Sequence, residues 1–449
     1  MESLRKIRKV MGVVKMECFC VMSNEIEGRI DPFYYRMEFL ELEKKVKLKS
    51  NKVLGDFIVE ISGGATPSRN NEEELYSNEK EGIPFLRVQN ITEEGLVLNN
   101  VKFITREVHE KQLKRSQVKE DNLLITITGR IASSCVVPKG FEGNINQHSV
   151  VIKTESLEIS NLLAKYLNSS IGHKLALRRT SGGSRLALDY ISLKSIPVIE
   201  EAKIVELMDK AYLQKKQKDA EAKKLSDSID EFVLEQLGIK IPELKNKMCF
   251  VVDYNQIQSG RIDSVNFANP QDTLSSTKIK EKILDEVASL VKGQSITKEN
   301  ITSGNYPVVA GGQSSPYSIN ACNHEGNVIT VSASGAYSGY VWYHYNPIFA
   351  SDCTVIKSLD EKEVPTFYLY CVMKAKQKFI YNMQQGAGQP HVYSRDLSNL
   401  KIPLPSLPIQ NKIAEEVKQR MHKVEQLQKE AKEELKKVKK EIEEMILSQ

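Results

Sequence analysis

The chain has 449 residues, of which 41% are hydrophobic, 27% are charged and 7% are aromatic. This length predicts two or three domains with apolar cores of their own, and it excludes a small scaffold that depends on disulfides. The formal net charge of +5 is compatible with a nucleic-acid partner and does not by itself indicate one.

The seven cysteines are odd in number and scattered, which predicts reduced thiols and a cytoplasmic location. Cys18-x-Cys20 and Cys322-x-His324 lack the spacing of a zinc site, so we expect no structural metal and no other cofactor. No apolar run reaches the roughly 18 residues of a membrane span, and no membrane contact is expected.

An internal repeat is the main feature of the chain. Lys15-Met16 and Gly28-Arg29-Ile30-Asp31 recur as Lys247-Met248 and Gly260-Arg261-Ile262-Asp263 at a constant offset of 232 residues. Such a period is far longer than a solenoid unit, so it predicts two duplicated domains rather than an array.

The two halves carry the same predicted elements in the same order. β-branched, alternating runs predict strands, and glycine-rich segments predict turns between them. Each half is therefore predicted to be a mixed α/β domain followed by one long helix. In the first half the predicted strands are 83–88, 122–129 and 149–153, the helix is 162–178 and the closing loop is 181–185; in the second half the strands are 306–310, 326–335 and 353–357, the helix is 367–381 and the closing loop is 385–391.

Two long helices end the two halves. In residues 408–449 an apolar residue recurs every three or four positions, which predicts a helix of about 60 Å with a narrow apolar stripe that needs a partner helix. Residues 200–238 have the same spacing and end at Gly238 and Pro242. Lys215, Lys216 and Lys218 are predicted to face water. The predicted domains are 1–199 and 239–407, and the helices are 200–238 and 408–449.

Catalytic and cofactor motifs are missing from the sequence. No Gly-rich loop ends in the Lys-Ser/Thr of a phosphate-binding loop, and none has the spacing of a dinucleotide-binding turn. There is no nucleophile elbow and no Asn-Pro-Pro-aromatic stretch of an amino-methyltransferase. Asp360-Glu361-Lys362-Glu363 resembles a nuclease carboxylate cluster, and we interpret it as a solvated loop.

The predicted loops carry the donors and acceptors that contact base edges and phosphates. Any one of these residues could be an ordinary polar loop residue, but the set recurs at matching points of the two halves. The candidate DNA-binding residues are Thr66, Ser68, Arg69, Arg87, Gln89, Asn90, Thr128, Arg130, Gln147, His148, Ser184 and Arg185 in the first half, and Gln313, Ser314, Tyr317, Ser334, Tyr337, Gln389, His391 and Tyr393 in the second.

In duplicate and in this order, the motifs resemble those of the specificity (S) subunits of type I restriction-modification systems. The residues that carry the resemblance are Arg29-Ile30-Asp31, Ser62-Gly63-Gly64-Ala65-Thr66-Pro67-Ser68, the Gly386-Ala387-Gly388-Gln389-Pro390 loop and the Ile402-to-Gln410 lead into the last helix.

The resemblance implies two target-recognition domains, each reading one half of a bipartite, asymmetric site on double-stranded DNA. It also implies two long antiparallel helices that form a coiled coil, separate the domains and bind two methyltransferase (M) subunits, with restriction (R) subunits as optional further partners. The subunit itself is expected to be non-catalytic.

Two rival hypotheses belong to other classes of protein. One is a DNA-modifying enzyme, a methyltransferase or nuclease, with an unrecognised catalytic site. The other is a coiled-coil scaffold without DNA contact.

Overall fold

The computed structural model has the mixed α/β architecture that the sequence predicts. It describes residues 21, 26, 28–67, 75–183, 185–239, 251, 279–297, 301, 304–386 and 388–448. The chain divides into two compact units, residues 1–217 with 430–449 and residues 218–429. The predicted repeat motifs at 15–16, 247–248 and 260–263, and Pro242, lie outside the described residues.

The β structure of the first unit lies in two main sheets. Its strands are β1 (Glu60–Gly63), β2 (Tyr76–Ser77), β3 (Ile83–Leu86), β4 (Ile91–Thr92), β5 (Gly95–Leu96), β6 (Lys102–Ile104), β7 (Gln117–Val118), β8 (Leu123–Thr126), β9 (Ser134–Val136), β10 (Gly143–Ile145) and β11 (Ser149–Lys153). β1, β11, β8 and β9 pair antiparallel in that order. The second sheet has the order β2-β6-β3-β10-β7, in which β3 and β10 are parallel, and β4 and β5 form a separate hairpin.

Helices pack on these sheets, and the predicted helix 162–178 is divided in two at Ser169. The Ser169 hydroxyl accepts a hydrogen bond from the Gly172 amide at 3.2 Å and so starts a new helix. The helices are α1 (Met37–Lys49), α2 (Leu157–Asn168), α3 (Ser170–Arg178), α4 (Tyr190–Lys194) and the first part of α5 (Ala202–Gln236), with 3-10 turns at Leu54–Phe57, Val88–Asn90 and Lys114–Ser116 and a π-helical turn at Val108–Gln112.

The second unit has three sheets among its described residues. Its strands are β12 (Lys280–Ile283), β13 (Ala288–Lys292), β14 (Tyr306–Val309), β15 (Ser318–Ile319), β16 (Val328–Ser332), β17 (Val341–His344), β18 (Phe349–Ala350), β19 (Cys353–Ser358) and β20 (Lys401–Leu404). The sheet orders are β13-β19-β16-β17, β15-β14-β18 and β12-β20.

The predicted helix 367–381 is also divided in two, at Lys376. The helices of the second unit are α6 (Leu284–Val287), α7 (Thr366–Ala375), α8 (Gln377–Tyr381), α9 (Ser394–Ser398) and the first part of α10 (Leu407–Leu447). The last part of α5 also belongs to this unit, and Gly238 follows its end with a φ of 64°. This left-handed residue ends the helix, as predicted.

The four-stranded sheets of the two units have the same topology. β1, β11, β8 and β9 have the same order and antiparallel pairing as β13, β19, β16 and β17. Each unit also has one parallel strand pair, β3 with β10 and β14 with β18. The offset falls from 228 residues between the starts of β1 and β13 to 204 between those of β11 and β19. The first unit is longer over this span, where β2, the β4–β5 hairpin and β7 have no counterpart in the described part of the second.

A buried tyrosine fixes the segment before each long helix. The Tyr166 hydroxyl donates to the Pro197 carbonyl at 2.8 Å, and the Tyr368 hydroxyl donates to the Pro403 carbonyl at 2.6 Å. Both tyrosines are fully buried. A buried phenol needs a hydrogen-bond partner, so each Ile-Pro pair of the sequence has a matching structural role.

The apolar stripes of the long helices are buried in the cores of both units. In the first unit Ile204 and Met208 share a core with Leu435 and Ile442. In the second, Val233 and Leu237 share a core with Ile413 and Val417.

The prediction that Lys215 faces water is wrong. Its side chain is only 17% exposed and pairs with Glu94 at 2.8 Å. The neighbouring Glu93 accepts a hydrogen bond from the Tyr212 hydroxyl at 3.4 Å and pairs with Lys439. The β4–β5 hairpin of the first unit therefore contacts both long helices, which no local sequence pattern indicates.

Candidate nucleic-acid interface

Each unit closes its α/β part with a seven-residue loop, residues 181–187 in the first unit and 385–391 in the second. In both loops the first and seventh residues exchange two backbone hydrogen bonds, with N···O distances of 2.8 to 2.9 Å. Each loop is thus closed at its two ends by backbone groups rather than by side chains.

A glycine in the second position is required by both loops. Gly182 has a φ of 109° and Gly386 a φ of 105°. A side chain there would overlap the carbonyl oxygen of Arg185 or of Gln389, respectively. Arg185 and Gln389 therefore occupy the same position of the two loops, the fifth, and both are exposed.

The closing loops lie beside the turns that follow β8 and β16. Leu188 donates its amide to the Ile127 carbonyl at 2.9 Å, and Val392 donates to the Ala333 carbonyl at 3.0 Å. Thr128 forms a β-bridge with the seventh residue of the first loop, and Ser334 forms one with His391. The structure thus places Thr128 against the last residue of the loop that carries Arg185, and Ser334 against the last residue, His391, of the loop that carries Gln389.

The glycine-rich turn after β1 reaches the same edge of the first unit. Gly64 donates its amide to the Ser149 carbonyl at 3.1 Å, and the Asn146 carbonyl leaves no room for a side chain there. The Thr66 hydroxyl consequently donates to the Oε1 of Gln147. Gly293 repeats this contact in the second unit, where its amide donates to the Cys353 carbonyl at 2.8 Å.

The charge of the Arg185 guanidinium acts on the His148 imidazole. Partial burial, followed by the Arg185 guanidinium, lowers the pKa of His148 below its usual value. At neutral pH the imidazole is therefore neutral, and it offers one donor and one acceptor. Of these two residues, Arg185 therefore carries the positive charge.

Three further candidates of the first unit have internal partners. Arg130 donates to the Val88 carbonyl at 2.8 Å, and Arg87 donates to the Asn100 carbonyl at 2.8 Å. Asn90 is fully buried, accepts from the Arg87 amide and donates to the Val97 carbonyl. Both ends of its amide are used in the turn, so Asn90 is a structural residue rather than an exposed reader. Gln89 is exposed.

Aromatic side chains lie at the end of the closing loop of the second unit. The His391 and Tyr393 rings are stacked, with centroids 6.0 Å apart and planes at 21°. The Arg395 guanidinium lies 5.1 Å from the centroid of the Tyr393 ring. Planar rings and a guanidinium of this kind suit stacking on bases and contact with phosphates.

Gln313 and Tyr337 lie beside Tyr381, which ends α8 four residues before Gln385, the first residue of the closing loop. Burial, followed by the nearby Tyr337, raises the pKa of Tyr381, while a hydrogen bond with Gln313 opposes this shift. Tyr337 is 48% exposed. Ser314 and Tyr317 are exposed on the neighbouring turn. Ser68, Arg69 and Ser184 lie outside the described residues.

Sequence reasoning found the Gly-Arg-Ile-Asp motif without finding its role. Arg29 donates to the carbonyls of Arg179 and Thr180 at 3.0 and 2.6 Å, immediately before the first closing loop. Asp31 accepts from the Arg29 guanidinium at 2.9 Å and holds it in place. The motif positions the loop, and its distance in sequence concealed this contact.

Within the described residues, no group of three or more His, Cys, Asp or Glu side chains is arranged to hold a metal ion. None of the described helices combines the length and apolarity that crossing a membrane requires.

Comparison with known proteins gives one consistent result. Residues 277–437 match the family described as "Type I restriction modification DNA specificity domain". The type I restriction enzyme EcoBI specificity subunit of Escherichia coli is 28% identical over 127 residues. This alignment covers 27% of the chain and 27% of the length of that relative.

Solved structures that match this chain include the type I restriction-modification S subunit from M. genitalium and the HsdS subunit from Thermoanaerobacter tengcongensis. The first is 15% identical, covers 90% of this chain and 97% of its own, and has a TM-score of 0.45. The second is 13% identical, covers 88% and 95%, and has a TM-score of 0.34.

Proposed function

We propose that the chain is a type I restriction-modification specificity subunit, because its residues 277–437 match the DNA specificity domain of that family, and that it selects the DNA sequence on which a methyltransferase or restriction complex acts. The observation that carries the proposal is the closing loop, which is built twice with the same backbone bonds and the same glycine. An exposed side chain stands at the same position of each loop. This arrangement suits a protein whose two loops contact two DNA sequences in a similar way.

Each unit is proposed to read one half of a bipartite, asymmetric site on double-stranded DNA. We assign the reading to target-recognition domains at residues 1–199 and 239–407. Arg185, the stacked His391 and Tyr393, and Gln389 supply bidentate donors, planar rings and an amide, which together suit base edges and phosphates. The two sets differ in chemistry, and this supports two different half-sites.

The long helices are proposed to pack as an antiparallel coiled coil that sets the distance between the half-sites. In support, the first unit contains the start of α5 and the end of α10, and the second unit contains the end of α5 and the start of α10. We further propose that these helices bind two methyltransferase subunits, with restriction subunits as optional partners. On this proposal the chain carries no catalytic site of its own and acts in the cytoplasm.

Two measurements on the purified chain test the proposal against its rivals. Filter binding to duplex DNA at increasing salt should give a negative slope of log affinity on log salt, because phosphate contacts release counterions. A scaffold without DNA contact would show no binding. Incubation with labelled S-adenosylmethionine and DNA should give no methyl transfer unless a methyltransferase subunit is added, and transfer by the chain alone would favour the enzyme hypothesis.

A further inference from the structure

One position in each unit directly precedes the central strand β11 or β19 and lies beside the closing loop. It is His148 in the first unit and Asp352 in the second, 204 residues apart, the same offset as between Arg185 and Gln389. The two backbones are used alike. His148 accepts the Ile127 amide at 2.9 Å through its carbonyl, and Asp352 accepts the Ala333 amide at 3.1 Å.

Asp352 is exposed and lies beside the closing loop of the second unit. The Ser334 hydroxyl donates to its Oδ2, and Ser334 itself bridges to His391 of the closing loop. The carboxylate is thereby oriented and linked to the loop. One hydroxyl uses only a fraction of the four lone-pair sites of a carboxylate, so acceptor capacity is left.

An exposed carboxylate is unfavourable next to DNA, because the phosphates repel it. The position of the Asp352 carboxylate is explained if it accepts a hydrogen bond from a donor that only a base supplies. In the major groove such donors are the exocyclic amino groups, N4 of cytosine and N6 of adenine, and carboxylates pair with the first. Arginine in the first unit and an oriented carboxylate in the second would then read opposite hydrogen-bonding patterns.

We propose that Asp352 is a specificity-determining residue that accepts a hydrogen bond from a base amino group, cytosine N4 in the first place, in the half-site read by the second unit. Ser334 is a positioning residue that orients the carboxylate. This inference rests on the proposed function, and it adds the class of base that one side chain selects.

The experiment maps methylated sites for the full chain co-expressed with its methyltransferase subunits. Asp352→Asn keeps the size of the side chain, removes the charge and adds a donor. We expect it to lower the preference for the wild-type base at one position of one half-site by roughly tenfold, with the other half-site unchanged. Ser334→Ala should relax the same position to a smaller extent.

Glu325→Gln is the matched control. It also removes an exposed negative charge from the second unit, but it precedes β16, whereas Ser334 follows that strand. An Asp352→Asn map identical to that of Glu325→Gln would overturn the proposal, since a charge effect alone changes binding to all sequences equally. Absence of any sequence-specific methylation with the wild-type chain would instead refute the proposed function. If Asp352→Asn gives too little methylation to map, selection of bound duplexes from a random pool by the same complex measures the same position.

Discussion

At the scale of single residues, the proposed function predicts a paired result for Arg185 and Gln389. Arg185→Ala should relax one half-site and Gln389→Ala the other, because each removes a side chain able to form two hydrogen bonds with a base edge, worth about 1 to 3 kcal/mol of discrimination. Mapping of methylated sites with each variant checks this. Arg115→Ala is the control, since Arg115 is exposed but lines a cleft with Lys153, at the opposite end of β11 from His148. Relaxation of one and the same half-site by Arg185→Ala and Gln389→Ala would contradict the paired assignment.

The buried Glu43 predicts an acid-sensitive first unit. Burial raises the pKa of Glu43, but hydrogen bonds and charge from Arg179, with further contributions from Lys47 and Arg178, outweigh it and lower the pKa to about 2. A carboxyl whose pKa is lower in the folded state stabilises the fold at pH values above its ordinary pKa of 4.5. This contribution, about 3 kcal/mol, is lost as the pH falls from about 4.5 toward 2.

Urea unfolding of the full chain between pH 7 and pH 3 measures the part of this loss that occurs above pH 3. Glu43→Gln should abolish this part of the pH dependence and lower the free energy of unfolding at pH 7 by about 3 to 5 kcal/mol, since it leaves two buried arginines without a counter-charge. Glu41→Gln is the control, an exposed glutamate on the same helix. Equal effects of the two substitutions would contradict the role of Glu43.

Residue types predicted much of the candidate interface, but not its details. Glycine-rich loops indicated Arg185 and Gln389 because such loops have a recognisable composition. No sequence pattern indicated that Asp352 belongs to the candidate interface, because it is a single acidic residue before an ordinary buried strand. Asn90 looked like a donor on a polar turn, and only its burial, a tertiary property, shows that its amide is consumed internally.

At the scale of elements, the closing loop of the first unit predicts opposite outcomes for two adjacent glycines. Gly182→Ala should strain the loop by about 1 to 2 kcal/mol, because φ is positive and the Arg185 carbonyl is in the way. Gly183→Ala should be harmless, since the space around Gly183 is open. DNA affinity of the two variants, measured beside their thermal unfolding, compares them. Equal affinity would mean that the loop conformation is not needed for binding.

The long helices predict that their length sets the gap between half-sites. Four residues inserted after Glu221, with four more inserted after Lys429 to keep the apolar stripes facing, add about 6 Å, near the rise of two base pairs. The insertion after Glu221 lies beyond Tyr212 and Lys215 in α5, so it keeps their contacts with the β4–β5 hairpin. Mapped sites should show a gap that is longer by about two base pairs and unchanged half-sites. An active variant with the original gap would mean that the helices do not set the distance.

Helix and strand positions were predictable where local patterns are strong. The predicted strand 149–153 coincides with β11, and the stripe of residues 408–449 forms α10. The division of the two shorter helices at Ser169 and Lys376 was not predicted. At Ser169 it depends on a side-chain cap, a contact that hydrophobic periodicity does not register.

At the scale of the whole molecule, the repeated topology predicts that the first recognition domain is exchangeable. Replacing residues from about Lys15 to Val198 with the corresponding part of a relative should change one half of the DNA site and leave the other intact. The incoming part must supply acids equivalent to Glu93 and Glu94, since these pair with Lys439 and Lys215 of the retained helices. Methylation mapping of chimeras with and without these acids tests both points, and a change in both halves of the site would contradict independent reading.

The closed backbone of the two loops has a consequence for how new DNA preferences could arise. The bonds that shape each loop join its first and seventh residues, and the glycine that permits the turn is the second. The side chains of the described positions between Gly182 and Ala187, and of the matching ones before His391, take no part in these two bonds. A point mutation there changes the chemistry that one loop presents to DNA without removing these bonds, so new target sequences can be sampled one half-site at a time.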